Sequence, residues 1–215
     1  MVDLQQLHEA ILNGDAKTAA ALAQAALAQN MPVLELIQTA MVPAMDEVGR
    51  RFECQDYFVP ELLLSARAMK AALEPLRPLL AASGAQPAGK VVIGTVQGDL
   101  HDIGKNLVAA LLEGGGFEVT DLGVDVAPEK FVETVQKTNA NIVCLSALLT
   151  VTMLSMKTTI DGLRAAGVRK QVTVLVGGAA VTRQFAEEIG ADGYGENASA
   201  AVALARACAK AAAVG

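Results

Sequence analysis

Beyond Lys90 the chain alternates short, largely apolar segments with longer segments of helical periodicity, and this alternation strongly constrains its fold. Strands that read as near-continuous apolar runs are typical of parallel sheets covered by helices on both faces. The pattern predicts a flavodoxin-like (Rossmann-type) α/β domain with five parallel strands and a ligand site at their carboxyl ends. We expect strands at 91–95, 119–122, 142–146, 172–176 and 192–194, and helices at 104–114, 128–138, 152–166 and 182–189 and in the Ala-rich C-terminal segment.

The first 80 residues have helical periodicity throughout and contain three short breaks. Four helices with short connections are typical of a small antiparallel bundle, so we predict an N-terminal four-helix bundle. Asp15 is expected to cap the second helix. Pro43 is expected to kink the third helix or shift its start. The fourth helix is predicted at 62–80.

A segment of small residues, 81–89, separates the helical region from the first strand. It contains Gly and Pro and no large apolar side chain, a composition typical of linkers. We interpret it as a linker and hinge between a helical domain at 1–80 and an α/β domain at 90–215.

Composition excludes several functional classes. The 17 basic and 23 acidic residues give a net charge of −6, and no basic patch suits nucleic acid. The sequence contains no run of about 20 apolar residues, the length that a membrane-spanning helix needs. Three widely spaced cysteines fit a reducing cytoplasm without disulfides. With only two histidines, His8 and His101, a site built from several histidines is excluded.

The loop after the first strand carries the chemistry. It reads Gly-Thr-Val-Gln-Gly-Asp-Leu-His-Asp-Ile-Gly-Lys over 94–105 and lacks the spacing of a dinucleotide loop or a P-loop. Asp99 stands two residues before His101, so its carboxylate can accept an imidazole N–H and raise the basicity of the other ring nitrogen. Taken alone, the pair has a simpler interpretation, in which Asp99 caps the next helix and His101 is an ordinary loop residue.

Three spaced elements together resemble the signature of cobalamin-binding domains. Asp99-x-His101-x-x-Gly104 is followed by Ser146-x-Leu148 and then by Gly177-Gly178. The helical region is similar to the cap module of cobalamin-dependent methionine synthase, at Val-Pro-Ala-Met-Asp (42–46), Val-Gly (48–49), Phe52, Phe-Val-Pro (58–60), Ser-Ala-Arg (65–67) and Met69. Tyr194 and Asn-Ala-Ser at 197–199 match the end of that family's domain.

The resemblance implies a metal ligand and a relay. In the family the nucleotide tail of the corrinoid leaves cobalt and inserts into the α/β domain, and the histidine of the motif, here His101, becomes the lower ligand. Asp99 would tune that histidine. Methionine synthase completes the relay with a serine six residues after the Ser-x-Leu serine. This chain has Thr152 there, whose hydroxyl could do the same work.

The resemblance also implies contacts with the corrinoid. Ser146 would hydrogen-bond the inserted base with help from Thr150, although a serine there can also be a helix cap. Phe52 and Val59 would cover the upper, methyl-bearing face, although core packing explains them equally well. The four glycines expected to let the cofactor approach the backbone, each of which can also serve an ordinary turn, are Gly104, Gly123, Gly177 and Gly178. The remaining expected cofactor contacts are Asp102, Ile103, Leu148, Tyr194 and Asn197.

The implied function is that of a corrinoid methyl carrier, a cofactor-bearing subunit without a complete active site of its own. A substrate-specific corrinoid methyltransferase would load cobalt with a methyl group. A second methyltransferase would pass it to an acceptor such as tetrahydrofolate or coenzyme M. The family also implies a reductive activase as a further partner. The chain itself is expected in the cytoplasm.

Other classes fit less of the sequence. A cobalamin-dependent sensor or regulator can have the same two modules, but those carry a DNA-binding segment, and the photoreceptors among them have a tryptophan that this chain lacks. The small subunit of a carbon-skeleton mutase shares the Asp-x-His-x-x-Gly domain but does not explain the helical region. A cobalamin-free α/β binding protein would leave the three spaced elements as coincidence.

Overall fold

The computed structural model describes residues 3–83 and 87–214. Its sheet has five parallel strands in the order β2-β1-β3-β4-β5, which confirms the predicted fold class. Each strand lies within one residue of its predicted position. The strands are β1 (Lys90–Thr95), β2 (Glu118–Asp121), β3 (Ile142–Ser146), β4 (Thr173–Gly177) and β5 (Gly193–Gly195).

Five helices connect and cover these strands, and all five were predicted. They are α7 (Ile103–Gly114), α8 (Pro128–Thr138), α9 (Met153–Ala165), α10 (Arg183–Ile189) and α11 (Ala198–Val214). Their numbering follows the six helices of the N-terminal region. The core between sheet and helices is aliphatic around the fully buried ring of Phe131, as expected for a chain with five phenylalanines and no tryptophan.

The strand register aligns the carboxyl ends of four strands in one row. Thr95 pairs with Ser146, Ser146 with Gly177, and Gly177 with Gly195. The loops that follow these residues therefore emerge at one edge of the sheet. This is the edge at which an open α/β sheet binds its ligand.

The N-terminal helices are more divided than the sequence pattern predicts. They are α1 (Leu4–Leu12), α2 (Ala16–Ala28), α3 (Val33–Leu36), α4 (Val42–Glu53), α5 (Val59–Leu73) and α6 (Arg77–Ser83), with a π-helical segment at Ile37–Met41 and a 3₁₀ segment at Glu74–Leu76.

Prolines account for these differences. Pro43 lies in the first turn of α4, directly after the π-helical segment, because it cannot donate a hydrogen bond to the preceding turn. The fourth helix was predicted at 62–80 but begins at Val59, with Pro60 in its first turn. A 3₁₀ segment that contains Pro75 then separates α5 from α6. Asp15 caps α2 as predicted, since its side chain accepts from the Thr18 N–H at 3.0 Å.

The described residues fall into two compact units. One comprises residues up to 87 together with 113–116, and the other comprises 88–112 and 117 onward. Of the predicted linker at 81–89, residues up to Ser83 belong to α6, and 84–86 lie outside the described residues. The division into functional domains at 1–80 and 90–215 stays a prediction. No helix in the described part of the chain combines the length and the apolar character needed to cross a bilayer.

Candidate functional site

Asp99 and His101 form a hydrogen-bonded pair in the loop between β1 and α7. His101 Nδ1 lies 2.7 Å from Asp99 Oδ1, and the carboxylate is fully buried whereas half of the imidazole is exposed. A carboxylate accepts only, so this contact assigns a proton to Nδ1, and in the neutral imidazole the lone pair is then on Nε2. Nε2 has no hydrogen-bond partner among the described residues. The imidazole is thus held in the tautomer that a metal ligand requires.

The Asp99 carboxylate is held by donors from two loops. Its Oδ1 also accepts from the His101 N–H at 3.1 Å. Its Oδ2 accepts from the Thr152 hydroxyl at 2.6 Å and from the N–H groups of Leu148 and Leu149 at 2.8 and 3.3 Å. Burial alone would raise the pKa of Asp99, but these hydrogen bonds outweigh it and hold the pKa far below its ordinary value. Asp99 therefore stays anionic behind the imidazole.

Thr152 is buried and occupies the relay position suggested by the resemblance. Besides reaching Asp99, its Oγ1 lies 2.9 Å from the Leu149 carbonyl. A hydroxyl has one proton, and the shorter contact, to the carboxylate, is the charge-assisted one. The geometry places Thr152, Asp99 and His101 in one hydrogen-bonded series.

Two residues that the sequence reasoning missed shape the histidine loop. Thr95, fully buried at the end of β1, donates from Oγ1 to the His101 carbonyl at 2.8 Å. Asp125 accepts from the Gly98 N–H at 2.7 Å and donates its own N–H to the Asp99 carbonyl. A hydroxyl that ends an apolar strand is a sequence signal for Thr95. Asp125 carries no such signal, because its contact depends on the pairing of β1 with β2.

Apolar side chains surround the imidazole loop and remain exposed. Leu100, Ile103 and Val151 each expose at least 70% of their surface. Clusters of this kind on a folded domain mark binding surfaces. Ile103 and Leu148 were predicted contacts, whereas the sequence reasoning missed the others. The exposed large apolar residues at this edge are Leu100, Ile103, Val124, Leu148, Leu149, Val151 and Leu154.

The four predicted glycines separate into two pairs. A Cβ added at Gly104 or Gly123 would meet nothing within 4 Å, so both leave open space beside the loop. A Cβ at Gly177 would lie 2.9 Å from the Gly195 carbonyl oxygen, and one at Gly178 would collide with the Ala147 backbone. Neighbouring strands and loops of the chain itself therefore explain the absence of side chains at 177 and 178.

Several predicted contacts have partners within the protein. Asn197 Oδ1 caps α11 by accepting from the Ala200 N–H at 2.8 Å. The guanidinium of Arg183 lies over the Tyr194 ring, 6.0 Å from its centroid. Asp102 Oδ2 accepts from Asn106 at 3.1 Å. Thr150 is exposed, and Ser146 is half-buried in the carboxyl-end row. The structure does not assign these five residues a ligand.

Ser199 supplies a further observation. Its Oγ is buried in the first turn of α11 and has no hydrogen-bond partner among the described residues. Buried hydroxyls are normally satisfied, so an orphaned one suggests a ligand atom or a water. Ser199 lies in the matched 197–199 segment, but the sequence reasoning gave it no role.

Phe52 and Val59 lie in the helical unit, at the end of α4 and the start of α5, and both are half-buried. Arg51 and Tyr57 brace the turn between them. Arg51 donates to the Tyr57 hydroxyl at 3.0 Å, and that hydroxyl donates to the Leu12 carbonyl at 3.2 Å. Phe52 and Val59 therefore flank a turn that is held by side-chain hydrogen bonds.

The chain has a cofactor-binding α/β domain. Three features define it: the sheet topology, the Asp99-His101 pair, and the rim of exposed apolar side chains around the histidine loop. Residues 89–203 match the family model described as "B12 binding domain", and residues 3–77 match a second model of the same description. The chain belongs to the B12-binding proteins, and its cofactor is a corrinoid.

Individual proteins within this family are similar to the chain over most of its length. The chain is 44% identical over 198 residues to trimethylamine corrinoid protein 2 of Methanosarcina mazei, covering 91% of each chain. It is 40% identical over 205 residues to a corrinoid protein of Desulfitobacterium hafniense, covering 94% of this chain and 95% of the relative. It also matches the crystal structure of the methanol:cobalamin methyltransferase complex MtaBC from Methanosarcina barkeri. That match has a TM-score of 0.85 and 33% identity, and covers 96% of this chain and 79% of the other.

Proposed function

We propose that the protein is a methyl carrier that binds cobalamin in the base-off form with His101 as the lower ligand. The observation that carries the proposal is the half-exposed imidazole whose Nδ1 is hydrogen-bonded to a buried carboxylate and whose Nε2 has no hydrogen-bond partner within residues 3–83 and 87–214. The relatives are corrinoid proteins of methylamine and methanol methyltransferase systems, which supports the carrier role.

The residues present fit a corrinoid. The metal of a corrinoid is already held by the nitrogens of its own ring, so a single protein nitrogen, that of His101, would be enough to bind it. The apolar rim at Leu100, Ile103 and Val151 suits a broad, largely apolar macrocycle, and the open space beside Gly104 and Gly123 suits its close approach. The orphaned hydroxyl of Ser199 is available to a polar atom of the buried tail. When bound, the cofactor supplies a cobalt atom able to accept and release a methyl group.

Each residue then has a physical task. His101 Nε2 would donate its lone pair to the metal, while Asp99 would keep the ring oriented and its Nδ1 proton in place. Thr152 and the two backbone N–H groups keep Asp99 charged. Phe52 and Val59 exclude water and oxygen from the upper face, as the resemblance implies.

The partners follow from this division of work. A substrate-specific corrinoid methyltransferase loads the carrier, and an acceptor methyltransferase unloads it to tetrahydrofolate or coenzyme M. A reductive activase restores carrier that has been oxidised. On this proposal the chain is a cofactor-bearing subunit and does not catalyse methyl transfer alone.

The first test compares His101→Ala with His8→Ala, which removes the other histidine of the chain. Each protein is refolded with hydroxocobalamin and desalted, and its visible spectrum and the electron paramagnetic resonance (EPR) spectrum of its Co(II) form are recorded. We expect nitrogen hyperfine splitting from histidine in the wild type and in His8→Ala, and none in His101→Ala. Bound corrinoid with unchanged spectra in His101→Ala would reject the ligand, and a colourless wild type would reject the cofactor.

Methyl carriage needs its own experiment. The wild type is loaded in the dark with methylcobalamin labelled in the methyl group, and a coenzyme M or tetrahydrofolate methyltransferase is added with its acceptor. We expect label to move to one acceptor at a rate that exceeds the rate from the same concentration of free methylcobalamin. Equal rates would contradict a carrier role while leaving cobalamin binding intact.

A further inference from the structure

Lys105 is a buried lysine that the ligand set does not use. Its side chain, in the first turn of α7, is 2% exposed and forms an ion pair with Asp121 at the end of β2. Its Nζ also donates to Asn106 Oδ1 at 2.6 Å. Lysine is rarely buried to this extent, and an ion pair that buries a charge is often no more stabilising than an apolar replacement. Stability alone therefore does not explain why the ammonium of Lys105 is buried here.

One series of contacts leads from Lys105 to the backbone of the ligand histidine. The second oxygen of Asp121 accepts from the Gly123 N–H at 2.8 Å. The Gly123 carbonyl accepts from the Thr95 N–H at 3.0 Å, and Thr95 Oγ1 holds the His101 carbonyl. Gly123 has φ +84°, a conformation that other residues rarely adopt, so this turn needs its glycine and its hydrogen bonds.

A second series reaches the same loop from the other side. Asn106, held by Lys105 through its Oδ1, donates from Nδ2 to Asp102 Oδ2 at 3.1 Å. Its backbone N–H also donates to the Asp102 carbonyl at 2.7 Å. Asp102 directly follows His101. The ammonium of Lys105 thus stands where the two series that flank the histidine meet.

We propose that Lys105 is a positioning residue: its ammonium joins the end of β2 to the start of α7 and so holds the 96–102 loop in the shape that presents His101. The consequence for cobalt ligation rests on the proposed function, whereas the consequence for loop order does not. An apolar side chain of similar length would fill the same volume but bind neither Asp121 nor Asn106.

Hydrogen–deuterium exchange on the cobalamin-free protein tests the loop directly. Lys105→Met keeps the length of the side chain, and Asp121→Asn changes only the surface partner while it keeps an oxygen for Gly123. Lys157→Met is the matched control, because Lys157 forms an exposed ion pair with Asp161 on α9. We expect exchange over 96–104 and 121–126 to be about tenfold faster in the first two variants and unchanged in the control, as for the loss of a charge-assisted hydrogen bond.

The pattern of exchange separates positioning from plain stability. Equal acceleration in β3 and β4 would mean that Lys105 only stabilises the domain and would overturn the proposal, as would no acceleration at all. If Lys105→Met does not fold, Asp121→Asn decides alone, because its side chain lies at the surface.

The cobalt arm uses the same variants reconstituted with hydroxocobalamin. We expect Lys105→Met to hold corrinoid with about a tenfold smaller ratio of histidine-ligated to unligated Co(II) by EPR, and Lys105→Arg to recover part of it. Wild-type ligation in Lys105→Met would overturn the role in ligation. If His101→Ala retains the wild-type spectrum, the proposed function fails instead, and exchange still decides the role of Lys105 in the loop.

Discussion

At the scale of single residues, the site depends on one buried charge. Asp99 accepts five hydrogen bonds from two loops of the chain, which makes it the point at which the 96–102 and 148–152 loops are joined. A neutral amide at this position could not accept them all, because its NH₂ group donates. The carboxylate is therefore both the partner of His101 and a structural link between loops.

Replacing Asp99 with asparagine should reveal this link as a pH-dependent loss of stability. We expect the cobalamin-free variant to lose about 3 kcal/mol of unfolding free energy near neutral pH, as for the breaking of a buried charge network. Since the folded pKa is depressed, the stabilisation is complete above the unfolded value of about 3.9 and is lost as the pH falls below it. Denaturant titrations should thus show a constant gap between about pH 5 and about pH 7 that narrows below about pH 4. An equally large loss in Asp102→Asn, an exposed neighbour, would contradict the assignment.

Thr152 offers a smaller, isosteric change at the same carboxylate. Thr152→Val keeps the shape but removes the 2.6 Å hydrogen bond to Asp99, so we expect a loss of about 1.5–3 kcal/mol in unfolding free energy. Thr152→Ser, which keeps the hydroxyl, should recover most of it. Urea denaturation measures the unfolding free energy of the wild type and of both variants. A valine variant as stable as the wild type would show that the hydroxyl does not support the carboxylate.

At the scale of elements, the packing of β1 against α8 is set by a missing side chain. Gly94 lies under the fully buried ring of Phe131, and a Cβ at Gly94 would approach Phe131 Cζ to 2.8 Å. The sheet core has few aromatic rings, and this one occupies the space that a larger residue on β1 would need. Glycine is needed at this strand position because the helix packs so close to the sheet, and not because the chain turns there.

Gly94→Ala should accordingly destabilise the α/β domain by about 1–3 kcal/mol through overpacking. Phe131→Leu also costs stability alone, but it makes room at the same contact. We therefore expect the double variant to be more stable than the sum of the single losses predicts, in a double-mutant cycle measured by thermal and denaturant unfolding. Strict additivity would contradict direct contact as the cause.

Elements also show how far sequence reasoning reaches. β1, β3 and β4 were predicted because each is a short, mostly apolar run, and β2 and β5 because strands and helices alternate along the chain. The Asp99-His101 contact was predicted because the two residues stand two positions apart in one loop. The break between α5 and α6 was missed, although Pro75 signalled it. Asp125 and Lys105 were missed for a different reason: their contacts join loops and strands far apart in sequence, and only the register of the sheet brings them together.

At the scale of the whole molecule, cofactor binding and folding are linked. A ligand that binds only the folded chain adds RT ln(1 + [L]/Kd) to the unfolding free energy, about 2.7 kcal/mol at a hundredfold excess over Kd. The chain has two compact units, so this stabilisation reaches only the residues whose unfolding releases the cofactor. Family matches cover residues in both units, 3–77 and 89–203. Measuring whether the cofactor stabilises one unit or both therefore tests which parts of the chain bind the corrinoid.

We expect hydroxocobalamin to slow hydrogen–deuterium exchange at 96–104 and 148–152, where the histidine loop and its partner loop lie. If Phe52 and Val59 cover the upper face, exchange at 52–59 slows as well, and the thermal unfolding temperature rises with cofactor concentration. His101→Ala should lose most of the protection at 96–104, whereas His8→Ala should keep it, since His8 lies on α1. Protection at 96–104 with unchanged exchange at 52–59 would restrict cofactor binding to the α/β domain and remove the assigned role of Phe52 and Val59. Protection that persists in full in His101→Ala would mean that the corrinoid is held without its lower ligand.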